Sequence, residues 1–148
     1  WRIYADFAQA LIKIVRPLYA GVDLGLDLKN TVYALDASTI DLCFSVFLWA
    51  LFRSTKSAVK LHTLLDLRGN IPSFVHISEG KLHDVNALDM IIPEAGSFYV
   101  MDRGYLDFER LFSLNNAGAF FVIRSKNNIL FKRRYSCPIE KSSGIQCD

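Results

Sequence analysis

Two aspartates carry the strongest chemical suggestion in this sequence. Asp36 stands inside the run Val32-Tyr33-Ala34-Leu35-Asp36-Ala37, and Asp102 closes the run Phe98-Tyr99-Val100-Met101. An ionised carboxylate among apolar neighbours is costly unless a cation or a hydrogen-bond donor meets it. A carboxylate just past the carboxyl end of a parallel strand also sits where open α/β sheets place ligands. Two such acids, 102 − 36 = 66 residues apart, invite a shared divalent cation such as Mg²⁺, which prefers hard oxygen ligands. Residue type and spacing leave a plainer alternative open for each: a strand-end cap for Asp36 and an ion pair with Arg103 for Asp102.

Other side chains carry less. His62 and His83 could approach a metal or a phosphate, although an isolated histidine on a strand or loop is more often structural. Arg124, Lys126, Lys132, Arg133 and Arg134 are the one basic concentration, suited either to tracking a phosphate backbone or to a solvated tail. Cys43, Cys137 and Cys147 form no CxxC pair, so neither a disulfide framework nor a zinc site is suggested, as fits a reducing compartment. The absence of GxGxxG, GxxxxGK[ST] and GxSxG patterns removes support for nucleotide-binding and serine-hydrolase readings.

The elements that must position these residues follow from composition and period. A chain of 148 residues that is 51% hydrophobic suits one domain with a genuine core and argues against intrinsic disorder. Seventeen Lys and Arg against 15 Asp and Glu leave a net charge of +2, too mild to announce nucleic-acid binding by itself. The longest apolar stretch, residues 42–52, is interrupted by Ser45 and falls short of the about 20 residues that a membrane helix needs. No secretory signal opens the chain. It starts without Met in what reads as a helix and ends in the polar run Ser142 to Asp148, which hints at an internal fragment.

Three-and-four spacing predicts a helix over 4–16, ended or kinked by Pro17. Residues 31–39 read as a strand, and 42–52 are ambiguous between strand and buried helix. Alternation over 59–66, the turn Arg68-Gly69-Asn70 and the run 71–78 predict a β-hairpin. A short helix near 84–92 capped by Asp84, a strand over 97–101, a helix over 107–116 capped by Asp107 and a strand over 119–124 complete the order. The alternation in the second half predicts an α/β fold: a mixed sheet, antiparallel in its first half and parallel in its second, with helices packed on it.

Taken together, Leu35-Asp36-Ala37-Ser38-Thr39-Ile40-Asp41-Leu42, the stretch Lys60 to Gly69, the pair His83-Asp84, and Tyr99-Val100-Met101-Asp102-Arg103-Gly104-Tyr105 resemble the DDE transposases. The group they are most similar to is the IS-four family of bacterial insertion sequences, and the likeness runs along essentially the whole chain in order. The resemblance implies a ribonuclease-H-like core over 31–126, with a helical lead-in over 1–30 and a basic, polar tail over 127–148. In that core the first acid lies on the first strand and the second at the end of the fourth, and those two strands are neighbours. Asp36 and Asp102 match those two catalytic, metal-binding carboxylates. The family's third acid, a Glu in a Y-x2-R-x3-E-x6-K helix, has no match here, so the core is expected to be truncated before it. Should a third ligand lie within these residues, Glu79 and Asp84 are the candidates.

The family's N-terminal DNA-binding region has no counterpart upstream of Trp1. Leu48-Trp49-Ala50-Leu51 departs from the family pattern, where a Pro and a Lys replace the two leucines, which suggests a decayed or divergent copy. The activity implied is strand cleavage and joining at insertion-sequence ends, with Mg²⁺ or Mn²⁺ as cofactor. The implied partners are double-stranded DNA and a second transposase subunit, in the cytoplasm at the nucleoid and with no membrane role. Arg103, Arg124, Lys126, Arg133 and Arg134 are the expected DNA contacts. The alternative from another class is a non-catalytic module, derived from a transposase, that binds DNA or a full-length partner.

Overall fold

Pro17 has the effect its chemistry requires: helix α1 (Arg2–Val15) stops just before it, and a 3-10 turn over Arg16–Tyr19 takes its place. The structure, a computed structural model, describes residues 2–25, 28–43, 45–53, 56–130, 132, 135, 136 and 138. Strands β1 (Val32–Leu42), β2 (Leu51–Arg53), β3 (Lys56–Asp66) and β4 (Ile71–Glu79) follow, then β5 (Phe98–Met101), helix α2 (Phe108–Asn116) and β6 (Phe120–Ile123); the short β2 is additional to the expected order and makes the strand before Asp102 the fifth rather than the fourth. A 3-10 helix over Asp84–Met90 precedes β5, and a 3-10 turn over Arg103–Tyr105 follows it.

The six strands form one mixed sheet in the order β2-β3-β1-β5-β6, with β4 sharing with β2 the outer edge of β3. β3 pairs antiparallel with β1, β2 and β4, whereas β5 pairs parallel with both β1 and β6. The hairpin β3–β4 turns through Leu67–Asn70, where Gly69 and Asn70 take positive φ of 80° and 54°. Glycine is required at 69 on a second count, because an added Cβ would lie 2.5 Å from the Tyr19 ring.

Strand alternation decides which face is filled. Tyr33 and Leu35 of β1 and Tyr99 and Met101 of β5 point to one side, where they join Leu88, Ile91, Leu111, Leu114 and Tyr105 in a single core. α2 is held over that core by its cap, since the Asp107 carboxylate accepts from the Arg110 amide at 3.1 Å. Arg110 also binds the Asp89 carboxylate at 2.6 Å, tying α2 to the end of the 3-10 helix. The opposite face stays open: Val100, Phe120 and Val122 are 38%, 53% and 56% exposed.

Two expectations are corrected. The apolar run 42–52 is neither a strand nor a buried helix: its first residue ends β1, Leu51 and Phe52 open β2, and the described residues between make turns, with Val46, Leu48 and Trp49 exposed. Because β1 and β3 are antiparallel neighbours, the chain must reverse direction here, and an apolar run without a period is free to supply the reversal. The segment after His83 is a 3-10 helix rather than an α-helix capped by Asp84, and His83 at its N-cap position makes no side-chain cap. Asp84 is engaged elsewhere, with one oxygen 2.9 Å from the Lys60 ammonium on β3.

Candidate metal centre

The parallel register brings the two singled-out acids side by side. Leu35 pairs with Met101 at the last rung between β1 and β5, so the next residue on each chain is Asp36 and Asp102. Asp36 is exposed in the middle of β1, opposite Thr63 of β3, which rules out the strand-end cap as its reason for being there. Among the described residues no hydrogen-bond donor or cation meets its carboxylate.

Asp102 is exposed too, and its nearest partner is not Arg103. One oxygen accepts from the Gly104 amide at 2.8 Å, capping the 3-10 turn that carries the chain away from the sheet. A Cβ at 104 would lie 2.9 Å from that oxygen, so glycine is what lets the turn close on the carboxylate. The other oxygen stays open. Two unneutralised carboxylates in matched register are hard oxygen donors of the kind a Mg²⁺ or Mn²⁺ ion takes while keeping several waters.

Asp102 also lines an open depression of about 550 Å³, together with His83, Arg103, Gly104, Lys126, Asn127 and Asn128. Of the expected DNA contacts this gathers Arg103 and Lys126 beside the acid; Arg124 is exposed but not in the lining, and Arg133 and Arg134 lie outside the described residues. Asp36 is not part of the lining either. Another cavity, of about 560 Å³, lies beside Asp66 and the turn after α1, where Arg16 pairs with Asp66 at 3.5 Å. Asp66 faces Tyr33, three residues before Asp36, so this cavity belongs to the other end of β1.

Sequence reasoning passed over Tyr105. Its side chain is 1% exposed, and among the described residues its hydroxyl has no hydrogen-bond partner. Burial first, then the charges of Asp84, Asp36 and Asp102 in that order, hold its proton on far above the ordinary tyrosine range. Three carboxylates thus bear on one buried hydroxyl. The signal was its place three residues after Asp102 in a turn that ends in the core. Of the two candidates for a third ligand, Asp84 is within electrostatic reach of that hydroxyl but paired with Lys60, and Glu79 ends β4 opposite Val59. Among the described residues no group of three His, Cys, Asp or Glu side chains is placed to hold a metal ion.

His62 is structural. It is fully buried on β3, its Nε2 is 2.8 Å from the Ser78 hydroxyl, and its Nδ1 has no partner among the described residues. Burial lowers its pKa below the ordinary histidine value, against a weaker upward pull from Asp84. The unfolded chain protonates this ring near about pH 6.5, while the folded chain resists until a lower pH. Stability from His62 is therefore intact above that value and lost as the pH falls through the lowered folded value. Melting curves recorded between pH 7.5 and 5 should show a steeper acid-side drop for the wild type than for His62→Gln; parallel curves would place the titration on another group.

Comparison with known proteins identifies the family. Residues 27–146 match the family model described as transposase DDE domain. Over 84 residues, 57% of this chain, the sequence is 29% identical to a Sinorhizobium fredii protein named as transposase y4zB, of which it covers 24%. Over 116 residues, 77% of this chain, it is 28% identical to a Geobacillus stearothermophilus protein named as a transposase for insertion sequence element IS5377, of which it covers 30%. The chain thus spans less than a third of the length of these relatives. No solved structure is a significant match.

Proposed function

The chain belongs to the transposase DDE domain family, and from that premise we propose that it is part of the catalytic core of an insertion-sequence transposase of the IS-four group. In this reading the mixed sheet is a ribonuclease-H-like core, Asp36 and Asp102 are two of its three catalytic carboxylates, and the third lies outside this chain. The whole enzyme then cleaves and joins DNA strands at element ends, on double-stranded DNA, with a second transposase subunit, in the bacterial cytoplasm at the nucleoid. No helix among the described residues is long and apolar enough to cross a membrane.

The observation that carries the proposal is the parallel rung Leu35–Met101, which sets Asp36 beside Asp102. Held by this pair, a divalent ion would activate the attacking hydroxyl and neutralise charge on the leaving oxygen. The chain's own residues do the placing. β1 holds Asp36 within a hydrogen-bonded ladder, β5 ends one residue before Asp102, and the Gly104 amide orients the Asp102 carboxylate. Arg103 and Lys126, beside Asp102 in the open depression, are suited to a phosphate backbone, where each neutralised phosphate releases counterions and makes binding salt-dependent.

Two unpaired like charges side by side repel, so a cation that binds the folded chain stabilises it by mass action. At ten times its dissociation constant, Mn²⁺ should add about 1.4 kcal/mol, or roughly 3–5 °C for a domain of this size. Asp36→Ala and Asp102→Ala should each remove the increment in a thermal-shift titration. An increment of the same size in both variants would show that the cation binds elsewhere and would sink the site assignment.

One observation favours a second reading. Because no three-ligand group is present among the described residues, the chain could act without chemistry, as a module that binds DNA or a full-length transposase and interferes with it. Retention of element-end DNA in a mobility-shift assay, unchanged by Asp36→Ala and by added Mn²⁺, would favour that reading.

A further inference from the structure

Three cations from three segments line the cavity at the far end of β1. Lys13 stands in the last turn of α1, Arg16 opens the 3-10 turn after it, and Arg68 lies in the β3–β4 hairpin turn. Among the described residues Lys13 makes no hydrogen bond or ion pair. Arg16 uses Nε on Asp66 at 3.5 Å and Nη2 on the Tyr33 hydroxyl, while Arg68 uses Nη2 on the Lys29 and Asn30 carbonyls at 2.6 and 3.3 Å. A guanidinium carries five N–H groups, so Nη1 of Arg16 and both Nε and Nη1 of Arg68 are left for a ligand. Thr31, also in the lining, brings a neutral hydroxyl donor. The acid of the lining is Asp66, whose side chain is 9% exposed and accepts the Arg68 amide at 3.0 Å as well as Arg16. It therefore anchors the arginine, and the lining keeps a charge of 3 − 1 = +2. We propose that this cavity binds a phosphate group, and that in the whole protein it takes a phosphodiester of the DNA backbone, at a second place remote from the metal pair.

The inference rests on the proposed function for DNA as the source of the phosphate, and it makes no use of Asp36 or Asp102. Concave shape, spare donors and net positive charge select an anion, and guanidinium forks match phosphate oxygens with two parallel hydrogen bonds. Both arginines are already fixed, Arg16 against the Tyr33 ring at 5.7 Å from its centroid and Arg68 against two carbonyls, so little side-chain freedom is lost when a ligand arrives. Contacts of this kind carry no base sequence; they set the orientation of the duplex on the protein. Lys13 and Arg16 also precede residues 27–146, so membership of the family does not assign them this part.

The test uses two probes, a short DNA duplex and inorganic phosphate, both in EDTA so that no divalent ion takes part. The proteins are the 148-residue wild type, Lys13→Gln, Arg68→Gln and the control Lys81→Gln, whose exposed side chain is outside the lining. Duplex affinity is followed by fluorescence anisotropy across a salt series. Each phosphate contact contributes about 0.9 to the slope of log affinity against log salt, so Lys13→Gln and Arg68→Gln should each lower the slope by about that much and Lys81→Gln should not. Inorganic phosphate should raise the melting temperature of the wild type and of Lys81→Gln, and less that of the two cavity variants. Lys13→Gln breaks no internal contact, so it decides the matter even if Arg68→Gln loosens the hairpin turn. Wild-type slope and phosphate response in both cavity variants would overturn the proposal, and so would an equal loss in Lys81→Gln, which marks diffuse surface charge. A phosphate response that depends on the cavity, beside a duplex slope that does not, would overturn DNA as the source. If the wild type holds no duplex even at low salt, the DNA reading of the whole protein fails, and the phosphate arm still judges the cavity.

Discussion

In a strand-nicking assay with Mn²⁺ and DNA carrying insertion-sequence ends, the 148-residue chain by itself is expected to leave both strands intact. In-line displacement at a phosphate needs the attacking and leaving oxygens held against fixed charge, and a misplacement of about 1 Å costs on the order of 10²-fold in rate. On the proposed reading Asp36 and Asp102 would fix one side of such an arrangement; no third carboxylate joins them among the described residues. Extending the chain through a helix that supplies a glutamate should bring nicking above background, and Asp102→Ala in the extended chain should return it to background, a loss of at least about two orders of magnitude. Nicking by the unextended chain that disappears in Asp102→Ala would mean that the third ligand is already present. Asp84 would then be the first suspect, because its charge bears on the same hydroxyl as the other two acids.

The largest stability effect is expected at Tyr99. It is 1% exposed, its ring stacks on Tyr33 at a centroid distance of 5.3 Å, and its hydroxyl accepts the Glu94 amide at 2.9 Å. Tyr99→Ala removes a large side chain from the middle of the core and strands a backbone donor, so it should cost about 3–5 kcal/mol. For a domain of this size that lowers the melting point by about 10 °C. Tyr99→Phe separates the terms: it keeps the stacking and loses only the hydroxyl, for about 1 kcal/mol. Equal losses in the two variants in a urea titration would show that the hydrogen bond, rather than the packing, holds this part of the fold.

What the sequence revealed, and what it hid, divides along physical lines. The hairpin β3–β4, the cap at Asp107 and the strand before Asp102 were legible because alternation, a turn with Gly69 and Asn70, and a short polar cap are local signals. The mixed sheet was legible from the order of its parts. The reversal over 42–52 was not, because an apolar run carries no period and its fate is set by the antiparallel pairing of strands on either side of it. The pairing of Asp84 with Lys60 was hidden for a similar reason: the two are 24 residues apart and meet only when the sheet is built. Tyr105 reads as one more aromatic residue in a motif until burial and three convergent charges single it out.

The parallel rung that joins β1 to β5 also dictates an order of assembly. The hairpin β3–β4 closes through a turn of four residues, whereas Leu35 reaches Met101 only by closing a loop of 101 − 35 = 66 residues. Loop-closure entropy rises by about 0.6 kcal/mol per doubling, so the longer closure costs roughly 2.5 kcal/mol more. Contacts of such long sequence separation slow folding. The antiparallel half of the sheet therefore precedes the parallel half, and the two carboxylates meet only at the last stage, when the chain is already compact around them. A chain with only the hairpin formed would not yet hold Asp36 beside Asp102, so on the proposed metal-centre reading any affinity for cations would arise only as folding is completed.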